Sequence, residues 1–158
     1  PLFQKCMGES RSVGILFIDA DHLKYINDNF GHDMGNLAIS NIASVIQRHC
    51  LLNAIAMRYG GDEFVCVIPG TDQQQLVLLE QQITDSLSGL SENNLFDFPI
   101  EASIGFVIAD NPELSLNDYI NFADEKMYAA KKARIRCQPC SVKYQPDLSP
   151  HQLKGKPL

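Results

Sequence analysis

The sequence predicts an α/β domain, a mixed sheet with helices packed on it. Three observations predict it. Apolar runs of strand character stand at Val13 to Ile18, Ala54 to Tyr59, Phe64 to Ile68 and Ile100 to Ile108. Stretches of helical periodicity alternate with them. Arg58-Tyr59-Gly60-Gly61-Asp62-Glu63-Phe64 joins two of the runs through a Gly-Gly pair. That pair reads as a β-hairpin, because the favoured two-residue turns need positive φ, which glycine adopts without strain. The chain has 158 residues, 45% hydrophobic and 20% charged, which suits one domain with a full core.

Taken in order, Val13 to Ile18 is a buried strand that ends at Asp19-Ala20-Asp21, leaving carboxylates at its C-terminal end. Lys24 to Phe30 is a polar loop or short helix closed by Gly31-His32. Ile39, Ile42, Ala43, Ile46 and Cys50 recur at helical spacing and predict a helix from about Met34 to His49. The hairpin follows. Thr71-Asp72-Gln73-Gln74 fits a capping box, after which Leu76, Leu79, Ile83, Leu87 and Leu90 line one helix face. Ile100, Ala102, Ile104, Phe106 and Ile108 alternate as a strand with one face on the core. Ser115-Leu116-Asn117-Asp118 is a second capping box, and Leu116, Ile120, Ala123, Met127 and Ala130 form the stripe of a last helix. No element is assigned before Val13. Beyond Cys137 the pattern stops, and Pro139, Pro146, Pro150 and Pro157 predict an irregular tail.

Composition narrows the function. A net charge of −6 excludes a broad basic surface and argues against nucleic-acid binding. Lys131, Lys132, Arg134 and Arg136 still form a local basic cluster suited to phosphates. No run approaches the roughly 18–20 apolar residues of a membrane span, and no signal peptide is visible. The five cysteines are scattered, which fits a reducing cytoplasm. Cys6, Cys50 and Cys66 read as buried thiols; Cys137 and Cys140 have CxxC spacing without the second pair that a zinc site needs. The chain opens at Pro1 rather than Met. It is therefore expected to be part of a longer protein whose upstream region holds a sensor or membrane anchor.

The chemistry concentrates at carboxylates. Asp19 ends a strand, and Asp62 and Glu63 leave a hairpin tip; in a small sheet these ends can lie side by side. Adjacent carboxylates repel, and a divalent cation such as Mg²⁺, which prefers oxygen ligands and accompanies phosphates, offsets the repulsion. Lys24 and Lys131 can neutralise phosphate, and the amides of Asn27 and Asn36 can read a base edge. Taken singly, Lys24 reads as a solvated lysine, His32 as a turn residue, and Asn27 and Asn36 as helix caps.

Together these residues resemble a known family. Phe17-Ile18-Asp19-Ala20-Asp21-His22-Leu23-Lys24-Tyr25-Ile26-Asn27-Asp28-Asn29-Phe30-Gly31-His32 resembles the phosphate-and-metal segment of the GGDEF-domain family. Arg58 to Phe64 matches its namesake motif, Ala102-Ser103-Ile104-Gly105 its later S-I-G strand, and Ala123-Asp124-Glu125-Lys126-Met127-Tyr128-Ala129-Ala130-Lys131 its A-D-x-x-x-Y-x-A-K helix. The four motifs stand in order, and the resemblance runs from about Val13 to Arg136. The implied organisation is an N-terminal remnant over 1–12, a catalytic domain over 13–136 and a tail over 137–158. The implied fold is a palm-like α/β (α+β) sandwich, with a mostly antiparallel central sheet flanked by helices.

The resemblance implies diguanylate cyclisation, in which two GTP become cyclic di-GMP and two pyrophosphates, with one GTP per subunit and two domains face to face as a homodimer. By the same resemblance Asp19, the Ala20 carbonyl, Asp62 and Glu63 hold metal, Mg²⁺ or Mn²⁺ at two ions per site. Asp62 or Glu63 is the base. Backbone N–H groups of Asp21, His22, Leu23 and Lys24 cradle phosphates, with charge from Lys24 and Lys131. Asn27 touches guanine and His32 supports its loop.

Three departures qualify the match. The family's G-H-x-x-G-D reads Gly31-His32-Asp33-Met34-Gly35-Asn36 here. The usual Asp accepts from guanine N1–H and the 2-amino group, whereas an amide turns its NH₂ toward another donor. The mismatch costs roughly 1–3 kcal/mol, about ten- to hundredfold in affinity. Adenine complements an amide, so ATP is expected alongside GTP, with some hybrid cyclic GMP-AMP. Asn36 equally suits a rival reading, a catalytically weak GTP-binding regulatory domain. Second, the inhibitory R-x-x-D is replaced by Leu51-Leu52-Asn53-Ala54. Third, the opening L-T-G-L-x-N-R helix is missing, and the A-K helix runs on as Lys131-Lys132-Ala133-Arg134-Ile135-Arg136 in place of G-R-N, so Arg134 or Arg136 takes the phosphate-binding role.

Overall fold

The computed structural model describes residues 2–8, 12–50, 54–92 and 96–137. Among the described residues four strands form one antiparallel sheet: β1 (Val13–Ala20), β2 (Ile55–Arg58), β3 (Glu63–Pro69) and β4 (Ala102–Ala109), in the order β2-β3-β1-β4. The helices described flank it: α1 (Leu2–Gly8), α2 (Leu23–Phe30), α3 (His32–His49), α4 (Gln73–Glu92) and α5 (Leu116–Cys137). The mixed α/β architecture and the antiparallel sheet are those that the resemblance implies.

The sheet has a core on each face, and the period-2 alternation of strands distributes side chains between them. Leu16, Ile18 and Ala20 of β1 pack with Phe64, Cys66 and Ile68 of β3 under α2, α3 and α4. Val13, Ile15 and Phe17 pack with Val65 and Val67 under α1 and α5. β1 is central, which is why it reads as a continuous apolar run rather than an alternating one. β4 is covered on both faces too. Ile104, Phe106 and Ile108 face the first core, and Val107 and Ala109 face the second. The sequence pattern showed only the first of these faces, because Ser103 and Gly105 interrupt the apolar signal of the other.

Several local expectations shift. A helix precedes β1: α1 buries Phe3 and Cys6 against Tyr119 and the α5 face. Seven residues carry too little periodicity to announce it. The Lys24–Phe30 segment is helical, as α2. The capping box of α4 lies one residue later than Thr71-Gln74. Asp72 and Gln75 exchange backbone-to-side-chain bonds of 2.9 and 2.8 Å, while Thr71 is buried and its carbonyl accepts from the Ser12 hydroxyl. Ser115 and Asp118 form the second box as expected, at 2.8 and 3.2 Å.

The hairpin also differs from a two-residue turn. Arg58 pairs with Phe64, and Tyr59 N–H and Gly60 N–H both donate to the Glu63 carbonyl, leaving Tyr59 to Asp62 as the loop. Among the described glycines only Gly31 and Gly70 have positive φ. A Cβ at Gly60 would meet only the carboxylate end of the flexible Glu63 side chain. Cys6 and Cys66 are buried thiols, and Cys50 is half-buried. Leu51 to Asn53, the tail from 138, and Cys140 lie outside the described residues. So do the side chains of Arg134, Arg136 and Cys137.

Candidate active site

The C-terminal end of β1 gathers the predicted carboxylates. Asp19 pairs in register with Glu63 on one side and Ser103 on the other. By strand parity Asp19 and Glu63 share the α5 face of the sheet. One residue on, Ala20 N–H donates to the Asp62 carbonyl at 2.9 Å, so the ladder extends to the motif's first carboxylate. Asp21 N–H donates to the Glu101 carbonyl at 2.9 Å. The chain then turns at His22, which has left-handed φ of 61° and ψ of 16°, and enters α2 with no side-chain cap. The first backbone amides of α2 thus follow the end of β1 after two intervening residues, and a helix N-terminus without a side-chain cap favours an anion. The Asp21 amide, expected among the phosphate ligands, is engaged by Glu101 in this structure.

Electrostatics follow from the crowding. Burial raises the Asp19 pKa, with Asp62 and Asp21 adding to the rise and the Lys131 bond opposing it. Glu63 is raised by burial and by the charges of Asp62, Asp19 and Asp124. Lys131, from α5, bridges Asp19 and Asp21 with its ammonium, 2.8 Å from the Asp21 carboxylate. Burial alone would lower its pKa, but these two carboxylates raise it overall. Asp21 is buried at 5% exposure and accepts the Ser103 hydroxyl at 2.9 Å from each carboxylate oxygen.

The residues fit a hard divalent cation in kind, being carboxylate and carbonyl oxygens under mutual repulsion. They do not form a preassembled cage. Among the described residues no three His, Cys, Asp or Glu side chains are grouped to hold a metal ion. Asp19 and Glu63 are cross-strand neighbours, Asp62 joins through its backbone, and Lys131 supplies the local positive charge.

The residues expected to meet the nucleoside lie on α2 and the start of α3. Asn27 is half-buried within α2 and packs on Gly35, where a Cβ would overlap its side-chain oxygen. Asn36 is exposed on α3, one residue further. Neither is a helix cap, because His22 and Gly31 hold those positions. His32 is exposed at the first position of α3, and Lys24 is exposed on α2. Leu23 packs against the first core and anchors the head of α2.

Sequence reasoning gave no role to four residues that shape the site. Ser103 holds Asp21, and Glu101 accepts from Asp21 N–H and lies 3.8 Å from His22. Asp124 adds charge near Glu63, and the Arg58 guanidinium donates to the Gly61 carbonyl to brace the hairpin loop. Ser103, Asp124 and Arg58 all lie inside recognised motifs. A polar residue at an inward position of an otherwise apolar strand, as at Ser103, was the available signal.

A family model described as the diguanylate cyclase GGDEF domain matches residues 1–136. Among curated proteins, the probable diguanylate cyclase DgcC of Escherichia coli K12 is 33% identical over 132 residues, covering 83% of this chain and 35% of DgcC. The probable diguanylate cyclase DgcJ of the same strain is 35% identical over 132 residues, covering 82% of this chain and 25% of DgcJ. The chain thus spans about a third or less of these relatives' length. Among solved structures, the GGDEF domain of DgcB from Caulobacter crescentus, in complex with c-di-GMP, is similar at a TM-score of 0.74 and 28% identity, covering 82% of this chain and 77% of that one. The active GGEEF domain of a diguanylate cyclase from Vibrio cholerae is similar at a TM-score of 0.75 and 26% identity, covering 83% of each.

Proposed function

The chain belongs to the GGDEF family, and from that premise we propose that it is a diguanylate cyclase, condensing two GTP into cyclic di-GMP with release of two pyrophosphates. The observation that carries the proposal is the register of β1 and β3. Asp19 stands opposite Glu63, and the next backbone bond runs from Ala20 to Asp62. That is the pairing needed for a strand-end carboxylate and the hairpin carboxylates to serve one substrate.

In this proposal Asp19, the Ala20 carbonyl, Asp62 and Glu63 hold divalent metal, Mg²⁺ or Mn²⁺. When bound, the metal supplies charge neutralisation at the triphosphate and eases ionisation of the attacking 3′-hydroxyl. Asp62 or Glu63 accepts that hydroxyl's proton. The amides at the head of α2, with Lys24 and Lys131, hold the phosphates. Asn27 and Asn36 meet the base, and His32 supports their loop. Each domain holds one nucleotide, so the second hydroxyl must come from a facing copy, and catalysis requires a homodimer. An upstream sensor or regulatory region, in the cytoplasm or on a membrane-anchored parent, controls that encounter. No helix among the described residues is long and apolar enough to cross a membrane.

Asn36 favours two refinements. Its amide relaxes base selectivity, admitting ATP and yielding some cyclic GMP-AMP. Alternatively, weakened guanine recognition makes the domain a GTP-binding regulator with little turnover. Mg²⁺-dependent nucleotide turnover, measured in the wild type and in Asp62→Ala, separates these. Turnover lost in the variant supports the enzyme; binding without turnover in the wild type supports the regulator.

A further inference from the structure

We propose that Asp21 is a positioning residue, anchored by Ser103, that keeps the Lys131 ammonium at the phosphate site when metal takes Asp19. The inference rests on the cyclase reading of the same site. Asp21 is not itself placed to touch substrate. Its amide is engaged by Glu101, and its carboxylate is buried, with the Ser103 hydroxyl 2.9 Å from both oxygens. Ser103 lies on β4, directly across from Asp19 on β1, so the anchor is built into the sheet rather than into a loop.

Lys131 is held differently. Its Nζ lies 2.8 Å from Asp21 and also bonds Asp19, and its side chain remains 33% exposed. An ammonium has three N–H donors, so two carboxylate bonds leave one directed elsewhere. Asp19 cannot serve a metal ion and remain a full partner of Lys131. Once Asp19 turns to metal, a lysine without Asp21 would return its long, flexible stem to solvent. Asp21 does not depend on Asp19 for its place, because Ser103 fixes it from the neighbouring strand. It therefore retains the ammonium where a triphosphate needs charge. The sequence spacing makes the device possible: Asp19 and Asp21 lie two residues apart, at the end of one strand, so both reach the lysine from α5.

A structural role alone would make Asp21 matter for folding and nothing else. The distinguishing quantity is the preference for triphosphate over monophosphate, since Lys131 acts on the phosphates and not on the base. The full chain is titrated calorimetrically with α,β-methylene GTP and with GMP, each with Mg²⁺, for wild type, Asp21→Asn, Ser103→Ala and Ser103→Thr. Loss of the charged bond should weaken triphosphate binding about tenfold in Asp21→Asn, while GMP binding changes less than about twofold. Ser103→Ala should move the same ratio by a smaller factor, and Ser103→Thr, which keeps the hydroxyl, should restore it. Ser103→Ala carries the test if Asp21→Asn does not fold. An unchanged triphosphate-to-monophosphate ratio in the folded variants, with only a lowered melting temperature, would overturn the positioning role and leave the cyclase proposal standing. Wild-type protein that binds neither nucleotide would overturn both.

Discussion

At the scale of residues, the site balances repulsion with one lysine. Asp19 and Glu63 both have raised pKa values, from burial first and neighbouring carboxylates next. A carboxyl raised in the folded state binds more protons there than in the unfolded chain. Its contribution is complete below the unfolded value, about 4, and is lost as pH rises through the raised value. Metal-free protein should therefore lose stability over that window, and Glu63→Gln should flatten the loss; thermal melts across pH measure it. Saturating Mg²⁺ should flatten it as well, because the cation pairs with the ionised form. Asn36→Asp should restore a bidentate partner for guanine, raising the preference for GTP over ATP about tenfold or more, as read by competition binding. The carboxylates themselves were legible in the sequence, because Asp19, Asp62 and Glu63 stand at strand ends where solvation would otherwise suffice. Ser103 and Asp21 were not legible as a pair. They lie 82 residues apart, and only the β1–β4 register brings them together.

At the scale of elements, two substitutions probe how the site is positioned. Gly105 on β4 lies against α5, where a Cβ would overlap the Ala123 carbonyl and the Met127 amide. The helix that carries Lys131 approaches the sheet this closely only because no side chain intervenes. Gly105→Ala should cost about 3 kcal/mol, since backbone must move. Denaturant unfolding should show that loss together with weakened triphosphate binding. The register of the α4 cap gives a second check. Asp72→Ala should cost about 1 kcal/mol, and Gln74→Ala should cost almost nothing, because Gln75 is the reciprocal partner. The helical and strand periods were readable wherever an element had one polar side, as in α3 and α4. They failed at α1, which is too short, and at the buried second face of β4. The hairpin was recognised but not its turn. Neither Gly60 nor Gly61 has the positive φ that a Gly-Gly turn predicts, and composition alone does not reveal it.

At the scale of the whole molecule, one sheet carries two cores and sets the site at the end of its central strand. β1 meets β3 and β4 there, and α2 and α5 arrive from opposite faces. This convergence explains why four short motifs, spread from Phe17 to Lys131, describe one place. The missing R-x-x-D predicts that added cyclic di-GMP leaves the initial rate unchanged, which a product-titrated assay measures. If Asp19, Asp62 and Glu63 serve one reaction, it is the joining of two nucleotides. The most direct measurement is mass spectrometry of the products formed with Mg²⁺ from GTP, from ATP and from an equal mixture, with Asp62→Ala as the control. Wild-type protein should give cyclic di-GMP from GTP and a cyclic GMP-AMP component from the mixture, and the variant neither. Wild-type protein that binds GTP but forms no cyclic dinucleotide would contradict the cyclase reading.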